Sequence, residues 1–280
     1  MPLKVPSALC CMNETVKYRR GGALLEREKR REREWNENQL EGRNAVLEVL
    51  RSGRDIEKIM VQKGNVEGTI KRIVAQAAEK GVVIQEVSRQ KLDELSQTKN
   101  HQGVIALVSA HDYVEVEDIL AAARAKGEDP FIILLDGITD PHNLGAILRT
   151  AECAGAHGVI IPKRRSVGLN ATVGKTSAGA IEYMPVAKVT NLVKTMEQLK
   201  KEGLWFACAD MGENDHFDTN LKGPIGLVIG SEGEGVSRLV KENCDFTASI
   251  PMYGKISSLN ASVAAALLMY EVVRQRNYSK

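Results

Sequence analysis

FIILLDGITDPHNLGAILRTAECAG, residues 131–155, decides the fold. Its first six residues are an unbroken apolar run of strand length that ends at Asp136. A turn rich in Gly, Asp and Pro follows, and then apolar residues recur at helical spacing. The runs GVIIP (158–162), LWFACA (204–209) and IGLVIG (225–230) repeat the strand pattern, and the helical stretches NLVKTMEQLKKEG (191–203) and EGVSRLVKENC (234–244) alternate with them. A strand that is apolar along its whole length is buried on both faces. The alternation therefore predicts an α/β domain with a parallel sheet covered by helices on both sides. In such sheets ligands bind just beyond the carboxyl ends of the strands, so the residues after each strand carry the functional information.

Three of those positions are unusual. After FIILLD, Asn143 is placed to cap the next helix, and Arg149 is a lone charge in the otherwise apolar LGAILRTAECAG. An arginine in that setting pairs with a carboxylate or binds an anion. After IGLVIG comes SEGEGVSRL, in which Gly230, Gly233 and Gly235 permit close backbone approach and a helix is expected from about Gly235. Glu232 offers this turn a hydrogen-bond acceptor. The spacing is neither the GxGxxG of a dinucleotide fold nor a phosphate loop. After the strand TASIP (247–251) comes MYGKISSLNASVAAALLMYEVVRQR, with a small-residue helix expected from near Ser257. Ser257, Ser258, Asn260 and Ser262 crowd its start, and capping needs only one of them. Singly these features read equally well as a capped helix, a tight turn and buried polar packing. Together, at the ends of parallel strands, they mark a site.

Upstream, residues 39–112 predict a smaller α/β domain. EGRNAVLEVLRSG (41–53), VEGTIKRIVAQAAEKG (66–81) and RQKLDELSQ (89–97) have helical spacing, and IEKIMVQ (56–62), VVIQEV (82–87) and GVIALVS (103–109) read as strands. Residues 113–129 form a linker containing the helical VEDILAAARAKG, and residues 130–280 form the larger domain. The first 38 residues are a polar arm, helical at most near LLEREKRREREW. Nine Lys and Arg against five Glu in residues 1–34 exceed the formal net charge of +2 of the whole chain, so the basic excess sits at the N-terminus. Such arms contact nucleic acid or stay as solvated tails.

The five cysteines form no CxxC pair, and no Cys/His cluster has zinc spacing, so no metal site is expected. Scattered cysteines fit reduced thiols and a cytoplasmic location. No apolar run approaches the roughly 18 residues that span a bilayer, and MPLKVPSALCCM is too short in its apolar part for an export signal. No membrane association is expected.

The three segments N…LGAILRTA, IGSEGEG and IPM…SSLNAS, in this order, resemble the three motifs of the SpoU, or TrmH-like, branch of the SPOUT RNA 2′-O-methyltransferases. The resemblance covers residues 40–276. HQGVIALV (101–108) and DGITDPHNLGAILRTAECAG (136–155) look most like bacterial enzymes that methylate a guanosine of 23S ribosomal RNA at the ribose 2′-oxygen. It implies a trefoil-knotted C-terminal SPOUT domain with a parallel sheet, preceded by a small RNA-binding domain like ribosomal protein L30e. It also implies S-adenosyl-L-methionine as cofactor and a homodimer acting on the large-subunit RNA. The cofactor residues carried over are Gly230, Ile250, Met252 and Leu259, and the catalytic set is Arg149, Asn143, Glu232, Ser258 and Asn260. Arginine keeps its proton in proteins and is a poor base. Arg149 is therefore expected to bind the target phosphate or stabilise the developing alkoxide, held there by Asn143 and Glu232, while Ser258 and Asn260 orient ribose or phosphate. Arg43, Lys63, Arg72, Lys163, Arg164 and Arg165 are candidate RNA contacts. The alternatives are a transfer RNA methyltransferase and a non-catalytic RNA-binding or ribosome-assembly protein. A nicotinamide-dependent oxidoreductase is disfavoured by the missing GxGxxG.

Overall fold

The computed structural model describes residues 38–64, 68–211 and 215–278. Apart from Asn38, the basic arm and its helical stretch lie outside them.

The expected strands form two sheets. In the smaller domain, β1 (Gln39–Glu41), β2 (Ile56–Gln62), β3 (Ile84–Val87) and β4 (Val104–Val108) lie in the order β1-β4-β2-β3. The β1–β4 and β4–β2 pairs are antiparallel and β2–β3 is parallel. Three helices accompany them: α1 (Arg43–Ser52), α2 (Thr69–Glu79) and α3 (Arg89–Leu95). The larger sheet is parallel throughout. Strands β5 (Phe131–Asp136), β6 (Gly158–Pro162), β7 (Val186–Val189), β8 (Trp205–Ala209), β9 (Ile225–Gly230) and β10 (Phe246–Ala248) take the order β10-β8-β9-β5-β6-β7.

The burial of β5 explains its sequence. Phe131, Ile133 and Leu135 enter one core with Leu144, Ile147 and Leu148 of α5 (Pro141–Cys153) and Ala265, Leu268 and Val272 of α9 (Ala261–Asn277). Ile132 and Leu134 point the other way, into a core with Ile119 of α4 (Val116–Lys126) and Met196 and Leu199 of α7 (Leu192–Lys201). Period-two alternation sends both halves of the strand into apolar layers.

The structure adds four short elements that the periodicity did not reveal: β1, β7, α6 (Ala171–Thr176) and a 3-10 turn (Ala180–Glu182). It also moves two helix starts. The helix after SEGEG is only α8 (Arg238–Glu242), and the last helix begins at Ala261 rather than near Ser257. In both places the chain keeps a polar loop ahead of the helix: SEGEG before α8, and Ser257, Ser258 and the capping Asn260 before α9. Among the described residues, no helix is long and apolar enough to cross a membrane.

The entry to β5 is fixed by a buried histidine. His157 is 3% exposed. Its Nδ1 accepts the Phe131 amide at 3.0 Å, and its Nε2 faces the Glu128 carboxylate at 3.1 Å. Burial, reinforced by the charge of Lys126, holds its pKa below the ordinary 6.5. The folded state then binds fewer protons than the unfolded state just below that value, so stability falls as pH drops through it. Thermal unfolding followed from roughly pH 8 to pH 5 should show full stability above about pH 6.5 and a declining acid limb. His157→Gln should flatten that limb, and an unchanged acid limb would place its origin elsewhere.

Candidate active site

The register of β5 against β9 builds the site. Phe131 lies opposite Ile225, and the pairing runs without a shift to Asp136 opposite Gly230. The two strands therefore end side by side, and the first two motifs leave the sheet at the same point. β10 ends beside β8, with Ala248 opposite Ala209. The chain builds outward to β6 and β7 on one side of β5 and to β9, β8 and β10 on the other. The strand ends at β5 and β9 are thus a topological switch point, where parallel sheets hold ligands.

A cavity of about 340 Å³ opens there. Ile229, Ala248, Ile250, Leu259 and Ala264 give it apolar walls, and Asp210, Glu232 and Glu234 also line it. Gly230, Ile250, Met252 and Leu259, the four residues carried over for the cofactor, all line this one cavity. Ser258 lines it too and is exposed. Gly230 is required for steric reasons, because a Cβ there would lie 2.1 Å from the Gly235 carbonyl carbon and 2.3 Å from the Val236 nitrogen. The turn beyond it is closed by paired Ser231 and Gly235 amide–carbonyl bonds of 3.0 and 3.1 Å. The expected close approach thus holds for Gly230 but not for Gly233, whose missing Cβ faces open space.

Three of the expected catalytic residues, one from each motif, form a closed hydrogen-bonded cycle. Asn143 Nδ2 donates to Glu232 Oε1 at 2.8 Å, and Asn260 Nδ2 donates to Asn143 Oδ1 at 3.0 Å and to the same Glu232 oxygen. Two expectations are corrected here. Asn143 is not the helix cap. Asp140 caps α5 by accepting the His142 amide, with Pro141 in the first turn. Proline suits that position because its missing N–H has no helical partner there. Asn143 sits one turn in, 9% exposed, and spends its amide on the other motifs. Nor do Asn143 and Glu232 hold Arg149. The Arg149 side chain is exposed and makes no hydrogen bond or ion pair among the described residues. Six residues after Asn143, it projects from a different face of α5.

Asn260 does cap α9, since its Oδ1 accepts the Ser262 and Val263 amides at 3.0 and 3.3 Å. One side chain therefore both starts the last helix and closes the cycle. Two residues were missed. Asp136 Oδ2 accepts the Ser237 amide at 2.8 Å, tying the end of β5 to the start of α8. Asp210 follows β8 and lines the cavity. Asp136 ends an apolar strand and Asp210 follows one, so the rule that drew attention to the other motifs would have found them.

An all-parallel sheet with a cavity at its switch point and polar motifs converging on it defines an α/β enzyme that binds a small cofactor. The sequence matches the model of the SpoU rRNA methylase family over residues 130–270, and that of the RNA 2′-O ribose methyltransferase substrate-binding domain over residues 39–114. YacO of Bacillus subtilis (strain 168), whose name assigns it to the TrmH family of tRNA/rRNA methyltransferases, is 52% identical over 84% of this chain and 95% of its own length. A relative of the same family name from Staphylococcus saprophyticus is 48% identical over 85% of this chain and 95% of its own. Among solved structures, the SpoU methyltransferase AviRb from Streptomyces viridochromogenes superposes with a TM-score of 0.54 at 25% identity, covering 94% of this chain and 98% of that one. An AdoMet-bound rRNA methyltransferase from Sinorhizobium meliloti shares the fold, with a TM-score of 0.54, 22% identity and coverage of 86% and 88%. The chain belongs to the SpoU rRNA methylase family and is an RNA 2′-O-ribose methyltransferase.

The cavity suits S-adenosylmethionine, the AdoMet that the Sinorhizobium meliloti structure holds. Its volume lies within the usual range for small-molecule sites. Apolar walls fit an adenine ring; Asp210 is paired with Lys241 at 2.6 Å and Glu232 with Asn143 and Asn260, so Glu234 is the carboxylate on the wall that suits a ligand carrying a sulfonium and an ammonium group. Gly230→Ala should abolish S-adenosylmethionine binding in calorimetry, whereas Gly233→Ala should bind as the parent does. Equal binding by both variants would separate Gly230 from the cofactor.

Proposed function

We propose that the protein methylates the ribose 2′-oxygen of a guanosine in 23S ribosomal RNA, in the cytoplasm, as a homodimer. The observation that carries the site assignment is the Asn143–Glu232–Asn260 cycle, which gathers one residue from each motif at the strand ends beside the cavity. A ribosome-assembly protein without chemistry would have no need to hold these three side chains together.

S-adenosylmethionine supplies the methyl group as an electrophile when bound. The chain must align the 2′-hydroxyl and stabilise the charge that develops on its oxygen. Gly230, Ile250, Met252 and Leu259 hold the cofactor, and the Asn143–Glu232–Asn260 cycle is a rigid polar frame beside it. Arg149 is the anion-binding element. Its guanidinium has no protein partner among the described residues, so its donors are available to a phosphate or to the developing alkoxide. Ser258, exposed on the cavity wall, orients ribose or phosphate.

The small domain supports an RNA substrate. Arg43, Arg89, Lys99 and His101 line a cavity of about 390 Å³ beside the 97–103 loop. Arg43 spends its Nε on the Gln102 carbonyl at 3.1 Å and keeps its terminal nitrogens for other acceptors. The loop is held firmly from behind. Burial opposes ionisation of Glu41, but hydrogen bonds from Thr98, the Gln97 amide, Ser96 and Gln39 outweigh it and bring the pKa to about 2. A fixed loop that carries Lys99, with Arg43 and Arg89 beside it, suits a phosphodiester backbone. The full small domain favours ribosomal over transfer RNA, although the relatives' names leave transfer RNA as the second reading.

The last helix supports a homodimer. α9 buries Ala265, Leu268, Met269 and Val272 in the core. Its other side exposes Val263, Leu267 and Tyr270 at 47, 46 and 50%. A helix apolar on both sides needs cover on both.

Three measurements test this reading. Arg149→Ala should retain S-adenosylmethionine binding while transfer to RNA falls by about 10²-fold or more, the scale for losing a charge-stabilising donor. Full activity would remove Arg149 from the site. Mapping 2′-O-methyl groups in ribosomal RNA with and without the protein should show one 23S position lost, and loss of none would favour transfer RNA. Leu267→Glu should shift the species seen in sedimentation from dimer to monomer, and an unchanged dimer would move the interface away from α9.

A further inference from the structure

The small domain meets the edge of the larger sheet through a polar junction that the methyl-transfer chemistry does not use. Glu57 on β2 forms an ion pair with Lys188 on β7, and the two side chains are only 14% and 12% exposed. The Tyr113 hydroxyl donates to the other Glu57 oxygen and accepts the Leu169 amide at 3.0 Å. The Lys188 ammonium also lies over the Tyr113 ring, 4.8 Å from its centroid. Burial, together with the charge of Glu57, pushes the Tyr113 phenol up, so it stays a donor. Gly168 seals the arrangement, because a Cβ there would lie 1.9 Å from a Glu57 carboxylate oxygen.

The chain between the domains is tied down at the same place. The Ala110 amide donates to Leu169 at 2.8 Å and the Val114 amide to Val186 at 2.9 Å. Val114 forms a parallel bridge with Ala187, which extends the large sheet by one short step. The residues joining the domains thus run along the sheet edge rather than hanging as a free tether.

We propose that Glu57, Lys188 and Tyr113 form an interdomain lock that fixes the small domain in one orientation, so that RNA engaged by its 97–103 loop is delivered to the Arg149 site along one path. They are positioning residues and do not touch the reacting atoms. The general physics supports a lock. A buried pair contributes little net stability, but removing one partner leaves the other charge buried and unpaired, so the junction tolerates the loss of neither group. The proposal rests on the reading of the small domain as the RNA-engaging one.

Two variants test it by different routes. Lys188→Met removes the cation. Gly168→Ala keeps every charge but displaces the Glu57 carboxylate. In hydrogen exchange, both should speed exchange of the 109–116 peptide by about tenfold or more while the 131–136 peptide of β5 stays at the parent rate. S-adenosylmethionine affinity should be unchanged. kcat/KM for RNA should fall by about tenfold, carried by KM, as expected when a substrate-holding element loses its fixed position. Parent-like exchange at 109–116 in both variants would overturn the lock. Faster exchange with unaltered KM for RNA would overturn its role in delivery. Failure of the parent protein to bind RNA at all would instead sink the reading of the small domain, and the exchange data would still decide the lock.

Discussion

The pairing of β5 with β9, in register to Asp136 and Gly230, is the constraint on which the site depends. A parallel ladder fixes which residues leave two strands side by side. A slip of one residue would turn Ile133 and Leu135 out of one apolar layer and into the other, and would carry Asp136 past Gly230. Because both faces of β5 are buried, the sheet resists such a slip strongly. The position of the cavity therefore follows from hydrophobic packing several residues away. The polar groups at the strand ends are aligned by the core rather than by one another.

On that frame the motifs divide the work. Asn143, Glu232 and Asn260 satisfy one another, so their cycle costs little desolvation and stays ordered without a ligand. Arg149 is left out of the cycle. An arginine already paired with Glu232 would have to break that pair to reach a phosphate. Held apart, it carries an uncommitted charge on a rigid helix. This arrangement differs from the expected one, in which the amide and the carboxylate steady the arginine directly.

Much of the larger domain was legible because its signals are long. FIILLD, GVIIP and IGLVIG appear as strands at the bounds their composition suggests, since unbroken apolar runs have one physical meaning in a sheet covered on both faces. The short elements were not legible. VAKV at 186–189 alternates weakly and lies at the sheet edge, where Lys188 serves the interdomain junction. Helix starts were misplaced wherever several capping residues compete. Three polar residues, Ser257, Ser258 and Asn260, precede α9, and the one that caps it, Asn260, is also the one bonded to Asn143 and Glu232. Asn143 illustrates the same limit from the other side. Its local sequence suits a cap, but Asp140 with Pro141 fills that role and frees Asn143 for partners 89 and 117 residues away. No local pattern encodes such a pairing.

The two domains differ in how they secure function. In the larger one, apolar layers set the register and the polar groups are few and paired. In the smaller one polar bonds to Glu41 and Arg43 hold the 97–103 loop. Glu41 accepts from Ser96, Gln97 and Thr98 where the chain enters the turn, and Lys99 and Gln102 take positive φ values of 59° and 51°. Non-glycine residues pay for that conformation only where surrounding bonds over-determine it. The Glu41 bonds and the Arg43–Gln102 contacts supply that over-determination. On the proposed reading, a loop ordered in this way before RNA arrives loses less entropy on binding than a loose basic segment would. Its order is useful, however, only if the domain carrying it is also held in place. The proposed lock meets that requirement: Glu57 and Lys188 are buried together at the interdomain edge, where loss of either would strand the other's charge.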